Sequence, residues 1–129
     1  MRFATALYLV VLCLCLTTIV AAQDAVKVDP NHYSVVSENN EVRILKIHYG
    51  PHEKSVMHSH PDSVVVFLTD GKVQFTDKDG KKTDADFKPG QSQFTPAQVH
   101  LPENTGDQAM EGILVELKGK STKAKAAAK

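Results

Sequence analysis

The stretch Met57-His58-Ser59-His60-Pro61-Asp62-Ser63-Val64 places two histidines at i and i+2, directly before the β-branched and aromatic run Val64 to Thr69. On a strand, side chains two apart leave the same face, so His58 and His60 can present both imidazoles to one ion. Alone the pair is weak evidence, since histidines held by hydrogen bonds in a core look the same in a sequence. The punctuation on either side decides how it is read.

Upstream, Val42 to Tyr49 alternates with a period of two: Arg43, Leu45, Ile47 and Tyr49 share one face, and Val42, Ile44, Lys46 and His48 share the other. A short β-rich run, Tyr33 to Ser37, precedes it between the turn signals Asp29-Pro30-Asn31 and Glu38-Asn39-Asn40. Gly50-Pro51 ends the strand, and Ser55 to His60 begins another. Downstream, Val64 to Thr69 and Lys72 to Thr76 are separated by Asp70-Gly71, which predicts a tight hairpin. Turns at Lys78-Asp79-Gly80, Lys88-Pro89-Gly90 and Asn104-Thr105-Gly106-Asp107 delimit further strands over Lys81 to Phe87, Gln91 to Thr95, Val99 to Glu103 and Glu111 to Leu117. No amphipathic helix is predicted before Gly119. Eight or nine short strands at close spacing predict an all-β sandwich or barrel.

The 129 residues suffice for one domain. Arg2, the apolar run Ala6 to Val20 and the small residues Val20-Ala21-Ala22 predict a signal peptide over residues 1–22. The run is shorter than the roughly 20 apolar residues a bilayer core requires, so the mature chain is expected to be secreted, extracellular or periplasmic, and free of the membrane. Cys13 and Cys15 lie in that run, so residues 23–129 contain no cysteine, and neither a disulfide nor a thiolate ligand is expected there. The formal net charge of +0 hides an asymmetry: residues 23–117 carry 9 Lys+Arg against 15 Asp+Glu, whereas residues 118–129 carry five Lys and no acid. An acidic domain over 23–117 with a solvated Lys/Ala-rich tail over 118–129 disfavours nucleic-acid binding.

A third neutral nitrogen from another strand would complete a facial triad with open positions, and His100, after a Pro-containing turn, is the candidate. Gly50, His58, His60 and Gly71, followed by Gly90, Pro96, His100 and Asn104, resemble the two motifs of the cupin superfamily. Seven residues rather than five separate Gly50 from His58, one residue fewer separates Pro96 from His100, and Gln98 stands near an expected Gly. The resemblance spans residues 42–117 and implies a single-domain cupin jelly-roll, or double-stranded β-helix, with one mononuclear metal on His58, His60 and His100. Counting along the first motif places Val64 where the family has its metal-binding Glu, which leaves a position for solvent or substrate. Asp62 or Gln93 is the alternative fourth ligand.

Imidazole ligands suit copper, iron and zinc, and the affinity series favours copper, with iron, zinc or manganese as alternatives. Small cupins similar to this chain include secreted copper enzymes that cleave cellulose oxidatively and dioxygenases of small molecules. The resemblance therefore implies a copper-dependent oxidoreductase that attacks an extracellular polysaccharide such as cellulose with dioxygen or peroxide. The alternatives are a small-molecule dioxygenase using iron or copper, and a non-catalytic metal- or sugar-binding module. A homodimer through the Tyr33 to Ser37 edge is a further expectation. His48 and His52 are expected to be exposed strand-end residues, Met57 and Met110 to fill the core, and Tyr33 and Tyr49 to pack.

Overall fold

A computed structural model describes residues 23–119. The expected signal peptide, and all of the expected tail beyond Gly119, lie outside the described residues. Nine strands follow one short helix, α1 (Ala25–Val28): β1 (Tyr33–Glu38), β2 (Val42–Tyr49), β3 (His58–His60), β4 (Ser63–Phe67), β5 (Gly71–Asp77), β6 (Lys82–Phe87), β7 (Ser92–Thr95), β8 (Gln98–Asn104) and β9 (Met110–Leu117). They form a five-stranded sheet in the order β1-β2-β9-β4-β7 and a four-stranded sheet in the order β3-β8-β5-β6, with every pairing between named strands antiparallel. No helix among the described residues is long and apolar enough to cross a membrane.

The alternation seen in the sequence sets the two faces. On β2 the face predicted from Leu45, Ile47 and Tyr49 is buried, and on β9 Met110, Gly112, Leu114 and Glu116 alternate inward. Val65 and Phe67 of β4, Val73 of β5 and Phe87 of β6 complete the core between the sheets. Phe67 and Phe87 stack across it at 3.7 Å between ring centroids. Met110 belongs to this core, but Met57 is 39% exposed and does not fill it as expected.

The expected Asp70-Gly71 hairpin fails, because β4 pairs with β7 and β9 while β5 pairs with β6 and β8 in the other sheet. A two-residue type I′ turn needs positive φ at both central residues. Positive φ among the described residues is confined to His52, Gly80 and Gly90. Instead Leu68 N–H donates to Glu111 (2.9 Å) and Thr69 Oγ1 accepts from Glu111 N–H (2.9 Å), so the end of β4 stays tied to β9 while the chain crosses between sheets. The local hairpin is β5–β6, closed through Gly80 at φ +84°.

The one helix among the described residues, α1, is a single turn that is too short to show periodicity. Asp24 caps it, Oδ1 accepting from Val26 N–H (3.1 Å) and Lys27 N–H (3.3 Å). The segment lies along β3, where Ser59 N–H donates to Gln23 (2.8 Å) and Asp24 bridges Ser59.

Candidate metal centre

The register of β3 against β8 makes the site. His58 lies directly opposite His100, and His60 lies opposite Gln98. The alternation on both strands turns all three imidazoles inward, and one nitrogen from each falls within 4.8 Å of the others. The rings stand nearly perpendicular to one another, at 83° to 87°, with centroids 4.8 to 5.4 Å apart. This is how three rings arrange themselves around a common point, in contrast to a stacked pair.

Hydrogen bonds fix the rings from behind. The Val56 carbonyl can only accept, so His58 Nδ1 donates to it at 2.8 Å, and the same nitrogen faces Ser55 Oγ at 3.2 Å. His60 Nδ1 donates to Glu116 Oε1 at 2.7 Å, leaving Nε2 toward the cluster. His100 stacks on Phe75, with 5.4 Å between centroids and 18° between planes, and Tyr33 covers the edge of His58 at 4.9 Å. Two buried side-chain nitrogens among the described residues, His58 Nε2 and His100 Nε2, have no hydrogen-bond partner.

Those two unpartnered nitrogens suit a metal ion. A buried polar group without a partner is destabilising by about 1–3 kcal/mol, so two on facing residues need a reason. A metal ion supplies one, since the lone pair of each neutral imidazole is what an ion uses. The rings are held neutral: burial and then the neighbouring His60 push His58 down to about 4. Burial, then His58 and His60, push His100 down to about 3. Fixing the far nitrogen of a ligand ring on a carbonyl or carboxylate is the usual way its tautomer is set for a metal.

Glu116 is the buried partner of the candidate site that the sequence does not single out. It is 2% exposed and takes a second hydrogen bond from Arg43 Nε at 2.6 Å, while Arg43 Nη2 reaches Asp24. Burial pulls the Glu116 carboxyl upward, but the bonds from His60 and Arg43 outweigh it and leave it below its ordinary range. A signal for it existed: Arg43 sits on the inward face of β2 and Glu116 on the inward face of β9, directly paired in register.

The other predicted site residues are placed as follows. Val64 does not face the centre; it is half-buried, and Val65 and Phe67 are the residues of β4 that line the cavity beside the histidines. Pro61 and the bend at Asp62 put Ser63 inward, so spacing and strand parity disagree by one residue. An apolar side chain faces inward in either case, and no carboxylate joins the three histidines. The Asp62 carboxylate accepts from Ala97 N–H (2.8 Å) and is not among the converging groups. Gln93 lines the cavity. His48 and His52 are exposed and turn to Glu111 and Asp107.

The cavity in front of His60 and His100 measures about 70 Å³. Val65, Phe75, Phe87 and Leu114 are among its apolar walls, Gln93, Thr95 and Gln98 supply polar groups, and no Lys, Arg, Asp or Glu among the described residues lines it. The Tyr33 and Tyr49 hydroxyls on its wall satisfy each other at 2.9 Å. A larger polar groove of about 440 Å³, between residues 70–72, 86–88 and 104–108, contains none of the histidines.

Two antiparallel sheets enclosing three converging imidazoles define a double-stranded β-helix with a potential metal site. Residues 45–116 match the family described as "Cupin domain", and the chain belongs to that family. Among solved structures it is similar to a cupin domain from Bordetella pertussis Tohama I, with 24% identity, a TM-score of 0.63, and coverage of 67% of this chain and 92% of the other. It is also similar to a conserved double-stranded β-helix protein from Klebsiella pneumoniae, with 25% identity, a TM-score of 0.56, and coverage of 69% and 77%. A polyketide cyclase from Streptomyces resistomycificus shares the fold at 15% identity, with a TM-score of 0.51 and coverage of 67% and 64%. No curated protein matches the sequence significantly.

Proposed function

We propose that the protein binds one metal ion on His58, His60 and His100 and acts as a metal-dependent oxidoreductase, with copper as the ion. The observation that carries this reading is the pair of buried, partnerless Nε2 atoms on His58 and His100, aimed into one cluster with His60. Three imidazole nitrogens and no carboxylate favour copper within the divalent series over the oxygen-seeking manganese. Bound there, copper would supply one-electron chemistry toward dioxygen or peroxide.

The chain's own groups do the rest. Glu116 holds the proton of His60 at Nδ1 and so keeps Nε2 free, and Val56 does the same for His58. Phe75 and Tyr33 pack against the rings and limit their rotation. The apolar walls lower the polarity of the space beside the histidines.

The cavity beside the histidines is too small to admit a sugar unit, which favours a very small substrate over a polymer chain entering it. Its 70 Å³ is far below the roughly 300 Å³ at which ordinary small-molecule pockets begin. With no charged lining residue, it suits a neutral molecule of few heavy atoms. Oxidative cleavage of a polysaccharide such as cellulose is the second reading, and it would place the polymer at the mouth, near Gln93 and Gln98. The apolar run before Gln23 supports an exported site of action.

Titration of metal-free protein with Cu(II), Zn(II) and Fe(II), followed by oxygen-consumption assays over small neutral substrates and cellulose, tests the proposal. It predicts one equivalent of copper and turnover that disappears in the His58→Ala/His60→Ala/His100→Ala variant. Copper bound without turnover of any substrate would favour a binding module, and absence of binding would overturn the metal reading.

A further inference from the structure

Two hydrogen-bonded chains run outward from the histidine cluster, and both end in the short N-terminal segment that precedes β1. The first passes from His60 Nδ1 to Glu116 (2.7 Å), from Glu116 to Arg43 (2.6 Å) and from Arg43 to Asp24. The second passes from His58 Nδ1 to Ser55 Oγ (3.2 Å), and Ser55 Oγ donates to Asp29 Oδ2 at 2.5 Å. Asp29 also holds His32 Nδ1 at 2.7 Å, and His32 Nε2 reaches Glu53 Oε2 at 3.0 Å. Asp24, Asp29 and His32 all lie outside residues 45–116, the part that matches the family.

These side chains are well enclosed. Asp29 and Ser55 are each 7% exposed, and His32 stacks face to face on Tyr49 at 4.2 Å and 7°. Asp24 divides its carboxylate between two tasks, with Oδ1 capping α1 and Oδ2 meeting Arg43. The helix turn therefore cannot leave its place without releasing Arg43, and residue 29 cannot leave without releasing Ser55. Backbone contacts add to this, through Ser59 N–H donating to Gln23 and through the bridge of Asp24 to Ser59 between the two histidines.

From this geometry we infer that the segment Asp24 to His32 is a working part of the metal centre, with Asp24 and Asp29 as positioning residues for the rings of His60 and His58. The inference rests on the metal reading above. Outer partners of ligand histidines typically contribute 10–100-fold to metal affinity. If the docked segment raises affinity, metal binding must stabilise the docking of the segment by the same factor, because the coupling is reciprocal. A merely structural segment would contribute to stability and leave metal affinity unchanged.

The test uses the full chain and Zn(II) as the probe, with affinities read by competition against a chromophoric chelator. Amide hydrogen exchange over residues 25–33 is measured with and without Zn(II). Asp24→Asn and Asp29→Asn, further from the rings than the direct partners Glu116 and Ser55, are each expected to weaken Zn(II) binding by more than about threefold, below the roughly 10–100-fold of a direct partner. In the unaltered protein, Zn(II) is expected to slow exchange at amides such as Asp29 and Tyr33, which donate to Ala25 and Asp29. Ser55→Ala, which removes one hydroxyl from the second chain, serves where Asp29→Asn does not fold. If the unaltered protein binds Zn(II), variants within twofold of it and exchange indifferent to Zn(II) would overturn the coupling and leave the metal reading standing. If the unaltered protein binds no metal, the reading itself falls, and the coupling with it.

Discussion

Replacing Glu116 by Ala is the perturbation whose size the structure defines best. The side chain is 2% exposed and accepts two charge-assisted hydrogen bonds, from His60 Nδ1 at 2.7 Å and Arg43 Nε at 2.6 Å. Bonds to a charged group contribute about 1.5–3 kcal/mol each, and removing one partner of a buried ion pair is destabilising by about 3–5 kcal/mol, because the other charge remains behind. We therefore expect a loss of about 3–5 kcal/mol, against a total stability of about 5–15 kcal/mol for a domain of this kind. Urea unfolding of the metal-free protein measures it, and the midpoint should fall with little change in slope. Glu116→Gln keeps one acceptor oxygen and should lose less. The carboxyl is held below its ordinary range, because the bonds from His60 and Arg43 outweigh the upward pull of burial. Its contribution is therefore complete above the unfolded carboxylate pKa and is lost as pH falls through the lowered folded value. Glu116→Gln should remove that part of the acid sensitivity. A loss under about 1 kcal/mol for Glu116→Ala would refute the view that this carboxylate anchors His60.

Other outcomes follow from the same geometry. Burial holds His58 down at about 4 and His100 at about 3, against 6.5 in the unfolded chain. Between pH 6.5 and those values the unfolded state binds more protons, so the metal-free protein should lose stability as pH falls, by up to about 1.4 kcal/mol per pH unit for each ring. His58→Ala/His100→Ala should flatten that slope in a pH series of urea titrations. Gly112→Ala would set a Cβ 3.2 Å from the Val66 carbonyl of the neighbouring strand, and a loss of about 1–3 kcal/mol is expected in thermal unfolding. Leu45→Ala, at a fully buried core position, should lose about 2–5 kcal/mol without changing metal stoichiometry. Val65→Glu would bring a carboxylate into the lined cavity; it should destabilise the metal-free protein and shift metal preference toward manganese and iron, as read by competitive metal binding.

The fold was legible where a strand declares itself locally. Val42 to Tyr49 alternates over its whole length and appears as β2 with the same bounds. His58, His60 and His100 can be grouped from the sequence because two of them share a strand face and the third has motif spacing, and the three side chains converge in the fold. The Asp70-Gly71 hairpin was misread because a turn dipeptide reports only local preference, while β4 and β5 take their partners from residues far along the chain. Val64 was placed at the missing ligand by counting residues, but the break at Pro61 and Asp62 changes the parity, and Val65 faces inward. The outer shell was hidden by distance: Glu116 lies 56 residues from His60 and 73 from Arg43, and Asp29 lies 26 from Ser55. A charged residue in an otherwise apolar inward register, such as Glu116 after Leu114 and Gly112, is the pattern that would have exposed it.

The central claim is that three imidazoles form one metal centre, and electron paramagnetic resonance of the Cu(II)-loaded protein tests it most directly. The proposal predicts one Cu(II) per chain with hyperfine coupling to three nitrogens, and loss of that signal in His58→Ala/His60→Ala/His100→Ala. A protein that takes up no stoichiometric copper, or a triple variant that keeps the same spectrum, would contradict it.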